Sequence, residues 1–590
     1  MGIKRKVEEK KMSMSKNIAR LAVTAGLTAA LSFGGVMAPV TMAFAEGVPT
    51  VATEKGKVNI TDNEYADTSF KGIQIFTAKV TQDQSDGNWD ESGDKTLSDI
   101  QWVPGKVQTL VTTALADVEG APKPDAGAQE WAEFISKAQS SNFGKNTAVN
   151  TGSALDLIAK ALEGDNTIAW TQPSDSTKGS FNNLDHGYWL FVTDAPGSTD
   201  AYTSPIFTIV GGSDVNVNPK KSVPKVTKAV KDDKNGKFVT DNSKDVFSAP
   251  NKSADSASEQ PIDYQLAGTV ASNINTYTKY SYAFTDELPS TMVPVCDENG
   301  KPVVKVKIGD TVVEDNCYTV TYPSEESNNK LTVSFDNLKE VKNEAGESIV
   351  VDGNSKVYVN YQAKLVARKI NENILGKAQT NTVKLTYSNN PHDIDSTGTT
   401  VTHPAYDYTY GIDVTKVGSD KDETGKHKTL EGVQFTLQEK GSSEFIKADG
   451  TTTSTKDDAI LTTDRNGKIN VVGLDEGTYT LTEVTPAPGY NNSAASGVTF
   501  TIASDSLPTN GDPFTPSCTL AEGTEGNLAQ ASNATDGKVH LTVTDQKGSN
   551  LPLTGLNGVT FTWIAGGAVL CIGVAHLIRS RRQAEESEQE

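Results

Sequence analysis

The chain has 590 residues, of which 36% are hydrophobic and 22% charged, and its 54 Lys+Arg against 75 Asp+Glu give a formal net charge of -21. At about 100–200 residues per domain, this length predicts several domains rather than one core. The negative charge excludes nucleic acid as a general partner, because phosphate binding needs a basic surface. Four Cys exclude a disulfide-rich scaffold and leave no paired CxxC for a zinc site.

The first 45 residues have the pattern of a secretory signal peptide. Basic residues precede an apolar run over residues 21–40, which is followed by Ala43-Phe44-Ala45. The small residues Ala43 and Ala45, at positions -3 and -1, predict cleavage after Ala45. Two glycines and a proline interrupt the run, which favours a cleaved segment over a retained membrane anchor. The sequence leaves open whether Met12 or Met14 is the true start.

Segment 551–590 combines three parts in a fixed order. Leu551-Pro552-Leu553-Thr554-Gly555 comes first, and an apolar stretch at 559–578 follows that is long enough to span a bilayer. Arg579, Arg581 and Arg582 come next, and by the positive-inside rule they predict a cytoplasmic tail.

This order resembles the cell-wall sorting signal of Gram-positive surface proteins. The resemblance implies that a sortase cuts between Thr554 and Gly555 and holds Thr554 as a thioester. The alternative is an ordinary tail-anchored protein, which would not need the LPLTG pentapeptide.

The region between these ends is mainly β, because short alternating apolar runs are separated by turns rich in Thr, Asn, Gly and Asp. Helical spacing of apolar residues predicts two helices, at 129–139 and 154–162. Proline-marked joints at 219–224 and 403–404 divide the region into parts of immunoglobulin-like size. We therefore expect a rod of tandem immunoglobulin-like β-sandwich domains at 46–221, 222–403 and 404–550, with helical insertions in the first.

The third of these domains has charged residues on core-facing strand positions. Lys416 shares its parity with Tyr410, Ile412 and Val414, and successive strand side chains alternate between the two faces. By the same reasoning Asp545 and Glu483 point inward from two other strands. Burying an unpaired charge costs several kcal/mol, so the sequence predicts that these three groups meet.

Such a trio has a chemistry beyond a salt bridge. Desolvation lowers the pKa of a buried Lys and raises that of a carboxyl group, which favours a neutral amine beside a protonated acid. The amine of Lys416 can then attack the carboxyl carbon of Asp545 to form an amide, with Glu483 moving protons. The other possibility is a buried ion triad that does not react.

The surrounding motifs resemble those of Gram-positive pilins. Tyr479-Thr480-Leu481-Thr482-Glu483, running on to Ala487-Pro488-Gly489-Tyr490, is similar to the pilin E-box of Cna-B-type domains. Asp545-Gln546-Lys547-Gly548 resembles the NxKG strand end of the same domains, with Asp in place of Asn. The resemblance implies an isopeptide bond between Lys416 and Asp545, assisted by Glu483.

The second domain repeats the pattern. Lys228 lies between Val226 and Val230 on one parity, and Asn381 and Asp286 lie on apolar parities of later strands. The run 381–391 is similar to the closing strand of Cna-A-like pilin domains. The resemblance implies a Lys228–Asn381 bond that releases ammonia, with Asp286 as the assisting acid and Asp263 as the alternative acid. No comparable triad is predicted in the first domain.

One further lysine, Lys220, takes the outward parity, opposite to the core-facing positions of Lys228 and Lys416. Val215-Asn216-Val217-Asn218-Pro219-Lys220 resembles the pilin motif VxVYPK, whose Lys attacks the sortase thioester of another subunit. An intermolecular reaction needs an accessible amine, which an outward position provides. The resemblance makes Lys220 the intersubunit acceptor, Lys221 could substitute for it, and an ordinary solvated lysine is the alternative.

The remaining residues carry little chemistry. Cys296 and Cys317 could form a disulfide in an oxidising compartment, although spacing alone leaves the unpaired state equally open. The six His have no ligand spacing, and the sequence has no GxSxG, HExxH or P-loop. No metal, cofactor or enzymatic turnover is predicted.

The resemblance as a whole implies the backbone subunit of a sortase-assembled pilus, secreted and anchored to the Gram-positive cell wall. Its expected partners are other pilin subunits in a covalent homopolymer, the sortase, peptidoglycan and possible host surface ligands for adhesion. The alternatives are a singly anchored ancillary or tip adhesin and a wall-anchored hydrolase. Lys220 separates the backbone subunit from the adhesin, because only a backbone subunit needs an acceptor lysine. A convergent acid pair, which the sequence lacks, would indicate the hydrolase.

Overall fold

The computed structural model describes residues 48–61, 68–91, 94–142, 149, 152–174, 178–197, 199–219, 222–234, 236–322, 329–391, 393–522, 528–533 and 536–548. The chain is mainly β, as predicted from the sequence. The predicted signal peptide, the sorting motif, the apolar stretch at 559–578 and Lys220 lie outside these residues. Within the described residues, no helix has the length and apolar character needed to cross a membrane.

The first sheets and all α-helices of the described residues lie N-terminal to residue 220. The strands are β1 Val48–Val51, β2 Gly56–Ile60, β3 Ser69–Ser85, β4 Asn88–Trp89, β5 Thr96–Trp102, β6 Ser180–Leu184, β7 Gly187–Ala195, β8 Ile206–Val210 and β9 Val215–Val217. The helices are α1 Val107–Ala114, α2 Ala128–Asn142 and α3 Ala154–Glu163.

The long strand β3 organises this region, because β1, β4, β5 and β7 all pair with it. A second sheet runs in the order β6-β2-β9. The two predicted helices are confirmed as α2 and α3, whereas α1 was not predicted. Helix α3 begins at the N-cap Ser153, whose side chain accepts from the backbone N of Asp156, and it buries Leu155, Ile158 and Leu162.

The middle part is a sandwich of two sheets. Its strands are β10 Val226–Lys231, β11 Ser253–Asp255, β12 Ile262–Thr269, β13 Tyr282–Glu287, β14 Met292–Pro294, β15 Val304–Ile308, β16 Thr311–Val312, β17 Thr319–Thr321, β18 Lys330–Phe335, β19 Lys356–Leu365, β20 Gln379–Ser388, β21 Thr397–Thr399 and β22 His403–Tyr408. One sheet runs β10-β12-β19-β15-β16 and the other β11-β22-β20-β13-β18-β17. Their inward side chains form one hydrophobic core.

The third part is a second sandwich. Its strands are β23 Tyr410–Lys421, β24 His427–Thr429, β25 Gln434–Glu439, β26 Phe445–Ile446, β27 Thr452–Thr453, β28 Leu461–Thr462, β29 Lys468–Leu474, β30 Gly477–Thr485, β31 Val498–Ala503, β32 Ser517–Leu520, β33 Ala529–Asn533 and β34 Lys538–Asp545. The sheets run β24-β23-β34-β33 and β27-β26-β25-β30-β31-β32. First strand β23 and last strand β34 are parallel neighbours.

The change from the middle sandwich to the third occurs at Thr409. The predicted joint at 403–404 instead falls at the start of β22, which pairs with β20 and β11 of the middle sandwich. Proline at position 404 is compatible with this strand because its missing N–H removes only one ladder bond.

Cys296 and Cys317, for which the sequence left a disulfide and the unpaired state equally open, are both free cysteines in the structure. Their sulfur atoms have different surroundings. Sγ of Cys296 lies 3.5 Å from the carbonyl O of Pro294, while Sγ of Cys317 accepts from the backbone N of Lys342 at 3.3 Å. Sequence spacing alone did not show whether the two cysteines could pair.

Buried carboxyl groups concentrate where the middle and third sandwiches meet. Asp255 of β11, Asp407 of β22 and Asp475 after β29 are each less than a tenth exposed. Ser256 Oγ donates to Asp407 Oδ2 at 2.8 Å. Burial raises the pKa of Asp255 to about 7, and it raises the pKa values of Asp407 and Asp475 well above their usual range. The junction is therefore favoured when these groups are protonated.

This junction predicts a pH dependence of stability. A carboxyl group with a raised pKa in the folded state contributes stability at low pH that is lost as pH rises towards that pKa. For Asp255, the loss between pH 5 and 8 is about 3 kcal/mol, since one pKa unit corresponds to about 1.4 kcal/mol. Asp255→Asn should reduce the fall in the free energy of unfolding over this range, as measured by denaturant titration.

The exposed Asp310→Asn is the matched control and should keep the wild-type pH slope. An unchanged slope in Asp255→Asn would contradict the assignment of a raised pKa to Asp255.

Candidate functional site

The third sandwich buries one lysine beside two carboxyl groups. Nζ of Lys416 lies 2.6 Å from Oδ1 of Asp545 and 3.0 Å from Oε2 of Glu483. All three side chains have an exposed fraction of 0%. The structure thus brings together the three residues that strand parity selected, and we refer to them as the Lys416 site.

Strand register places these groups. Lys416 lies opposite Val543 in the parallel β23–β34 pair, and Gly418 lies opposite Asp545, so the two side chains project inward close together. Glu483 comes from β30 in the facing sheet. A Cβ at position 418 would lie 2.5 Å from Cε1 of Tyr490, so glycine there lets the Tyr490 ring close over this end of the sandwich.

The electrostatics of the Lys416 site favour a protonated acid. Burial and the nearby charge of Asp545 raise the pKa of Glu483 to about 7, although the attraction of Lys416 opposes the shift. Within the described residues, Oε1 of Glu483 and Oδ2 of Asp545 have no hydrogen-bond donor. A proton on Glu483 would give these oxygens a shared hydrogen bond.

The middle sandwich contains a second buried lysine. Nζ of Lys228 donates to Oδ2 of Asp286 at 2.6 Å and to the hydroxyl of Tyr361 at 3.0 Å. The same hydroxyl accepts from Nδ2 of Asn381 at 2.9 Å. Lys228, Asp286 and Asn381 are fully buried and Tyr361 is 4% exposed. We refer to these four residues as the Lys228 site.

The Lys228 site spans both sheets of its sandwich. Lys228 projects from β10, whereas Asp286 and Asn381 project from the neighbouring strands β13 and β20 of the facing sheet. Tyr361 of β19 lies in the same sheet as Lys228, with β12 between their strands. A bond between Lys228 and Asn381 would therefore join the two sheets.

Burial also adjusts the ionisation of this site. It lowers the pKa of Lys228 to about 8 and raises that of Asp286, although the attraction between the two groups opposes both shifts. The ammonium lies 4.9 Å from the ring centroid of Tyr264 and 5.3 Å from that of Tyr361. Proton transfer along the 2.6 Å contact would give a neutral amine next to the Asn381 amide.

The alternative acid Asp263 does not reach this site. Its side chain is 39% exposed and lies 3.5 Å from Nζ of Lys231. Asp286 is the carboxyl group in contact with Lys228. Sequence reasoning missed Tyr361, although its parity with the buried Val357 and Val359 indicated an inward hydroxyl that needs a partner.

The strand that leads to Lys220 is described up to Pro219. Strand β9 pairs in parallel with β2, and Asn59 Nδ2 donates to Asn216 Oδ1 at 3.0 Å. Val217 is buried and Asn216 exposed, as the predicted parity requires. Before this strand, the buried Lys95 donates to the carbonyl O of Ser213 at 2.7 Å. The strand that leads to the predicted acceptor is thus held by its pairing with β2, and the residues before it are held by Lys95.

Comparison with known protein families matches residues 414–512 to SpaA, a prealbumin-like fold domain. These residues are similar to a SpaA-type domain. The Lys416 site begins within them and is completed by Asp545 of β34, beyond the matched residues. Comparison with curated proteins gave no match.

Three solved pilin structures are similar to the chain in fold. The full-length major pilin SpaD from Corynebacterium diphtheriae is 17% identical over 84% of this chain and 98% of that chain, with a TM-score of 0.42. BcpA, the major pilin subunit of Bacillus cereus, is 16% identical over 63% and 89%, with a TM-score of 0.35. The full-length major pilin RrgB from Streptococcus pneumoniae is 14% identical over 65% and 89%, with a TM-score of 0.34.

Proposed function

We propose that the chain is the backbone subunit of a covalent pilus on the surface of a Gram-positive bacterium. The observation that carries this proposal is the fully buried lysine held between two carboxyl groups in the sandwich that contains the residues similar to a SpaA-type domain. A sortase joins Thr554 of one subunit to Lys220 of the next, and the finished polymer is attached to peptidoglycan. The internal bonds form once within each subunit, so the chain is not an enzyme.

The Lys416 site forms an amide by loss of water. The Lys416 ammonium first passes a proton to Asp545. Neutral Nζ then attacks Cγ of Asp545, Glu483 supplies a proton to the hydroxyl that leaves as water, and Glu483 takes one back from the nitrogen. The contact of 2.6 Å between Nζ and Oδ1 already holds the reacting groups together, which removes the entropic cost of bringing them into position. At the Lys228 site, Nζ of Lys228 attacks Cγ of Asn381 and ammonia leaves.

These bonds suit a chain that is pulled along its length. Lys416 lies in the first strand of the third sandwich and Asp545 in the last, so tension passes through the amide and residues 417–544 are relieved of it. Lys228 and Asn381 shield residues 229–380 in the same way. A crosslink also restricts the unfolded ensemble, as a disulfide does, and long loops gain most in that description.

The intersubunit bond would place the N-terminal region, residues 46–219, outside the path of the tension. A pull that enters at Lys220 runs to Lys228 and leaves through Thr554, so residues 46–219 carry no tension. That region needs no internal crosslink, and its exposed surface is available for host ligands.

Intact mass measures the internal bonds directly. Recombinant residues 46–550 should be lighter than the sequence mass by one water and one ammonia. Glu483→Gln removes the acid at the Lys416 site, so this variant should lose only ammonia. Asp286→Asn acts in the same way at the Lys228 site, and that variant should lose only water.

The exposed Glu431→Gln is the matched control and should keep both losses. A wild-type protein with the full sequence mass would refute both internal bonds.

Polymerisation is tested at the acceptor lysine. Cell-wall extracts of bacteria that produce the wild-type chain should give a ladder of high-mass bands on a boiled SDS gel. Lys220→Ala should abolish the ladder because the thioester then lacks its amine, while the neighbouring Lys221→Ala should retain it. A ladder of wild-type intensity in Lys220→Ala would exclude Lys220 as the acceptor.

A further inference from the structure

At the Lys228 site one hydroxyl group lies between the attacking nitrogen atom and the leaving nitrogen atom. The oxygen of Tyr361 is 3.0 Å from Nζ of Lys228, the attacking atom, and 2.9 Å from Nδ2 of Asn381, the leaving atom. Both nitrogens donate to this oxygen. The oxygen of Tyr361 is thus the one atom within the described residues that receives a hydrogen bond from both nitrogens.

The two buried lysine sites differ in how the acid reaches its substrates. Glu483 contacts Lys416 at 3.0 Å, and the charge of the nearby Asp545 raises its pKa, so this carboxyl group lies beside both reacting side chains. Asp286 is one methylene shorter and contacts Lys228, but among the described hydrogen bonds none joins it to Asn381. The hydroxyl of Tyr361 occupies the gap, since it lies within hydrogen-bonding distance of both Lys228 and Asn381.

We propose that Tyr361 is a catalytic residue that relays a proton from Lys228 to the departing amide nitrogen of Asn381. This inference rests on the proposed formation of the Lys228–Asn381 bond. It adds to that reaction a group that the sequence analysis did not select, and among the described hydrogen bonds none joins a tyrosine hydroxyl to the three residues of the Lys416 site.

The proton balance of the step is complete without an external reactant. Asp286 first takes a proton from the Lys228 ammonium, and neutral Nζ attacks Cγ of Asn381. As the C–N bond forms, Nζ passes a proton to the Tyr361 oxygen, and the Tyr361 proton moves to Nδ2. The Cγ–Nδ2 bond breaks, and ammonia takes the proton held by Asp286 and leaves as ammonium. Tyr361 and Asp286 end as they began.

The surroundings of Tyr361 suit a neutral relay. Burial raises its pKa well above the usual range, so the hydroxyl stays protonated and exchanges one proton for another without carrying a charge. Its ring lies 5.5 Å from that of Tyr264 at an interplanar angle of 17°, and the two residues are paired in the β12–β19 register. This packing fixes the oxygen in position between the two nitrogens.

The test follows ammonia loss over time in residues 46–550 made by cell-free synthesis, with Tyr361→Phe compared with wild type by intact mass. A proton-transfer residue contributes about 10²–10⁴-fold, so Tyr361→Phe should lose ammonia at least about 100-fold more slowly. Tyr282→Phe is the matched control, since its buried hydroxyl donates to the carbonyl O of Thr269 and not to the reacting groups. It should lose ammonia at the wild-type rate.

Loss of water at the Lys416 site reports in each sample that the third sandwich has folded, and it should be unchanged in both variants. A wild-type rate of ammonia loss in Tyr361→Phe would overturn the relay. Absence of ammonia loss in the wild type would instead overturn the Lys228–Asn381 bond itself, so the two failures are distinguishable.

A second measurement covers the case in which Tyr361→Phe disturbs the core. Replacement of Tyr361 by 3,5-difluorotyrosine keeps the ring and hydroxyl but makes its proton more acidic. The relay predicts a changed rate of ammonia loss for this protein, whereas a rate equal to that of wild type would overturn it.

Discussion

The rest of this structure depends on one constraint, which is the burial of a lysine amine inside a β-sandwich. An ammonium ion away from water costs several kcal/mol unless it has partners, and Lys416 and Lys228 are both fully buried. The fold meets this cost by placing carboxyl groups 2.6 Å from each amine. Burial also lowers the pKa of Lys228 and raises that of Glu483. Formation of an amide would remove the charge of the lysine permanently, and at the Lys416 site it would remove that of Asp545 as well.

The two sandwiches solve this problem with different topologies. Lys416 and Asp545 project from parallel neighbouring strands of one sheet, with Glu483 above them from the other sheet. Lys228 and Asn381 project from opposite sheets, and a tyrosine hydroxyl joins them. In both cases the lysine lies in the first strand of its sandwich. An amide from the first strand to a late strand carries tension across the domain without loading the strands between.

Much of this could be predicted from sequence, because alternation along a strand states which residues face the core. Lys416, Glu483 and Asp545 each continued an apolar parity. The structure places the two carboxyl groups within 3.0 Å of Nζ of Lys416. Two of the three helices were predicted from their spacing, whereas α1 is short and lacks a side-chain N-cap. Parity does not show which inward residues of opposite sheets meet, and so Tyr361 was missed among many buried tyrosines. The position of β22 depends on long-range strand pairing in the same way.

The most direct measurement of the central claim is a crystal structure of residues 46–550 at atomic resolution. The account predicts continuous density from Nζ of Lys416 to Cγ of Asp545, with a planar amide and a C–N bond of about 1.33 Å. An intact Asp545 carboxylate, with Nζ at the hydrogen-bonding distance of 2.6 Å from Oδ1, would contradict it.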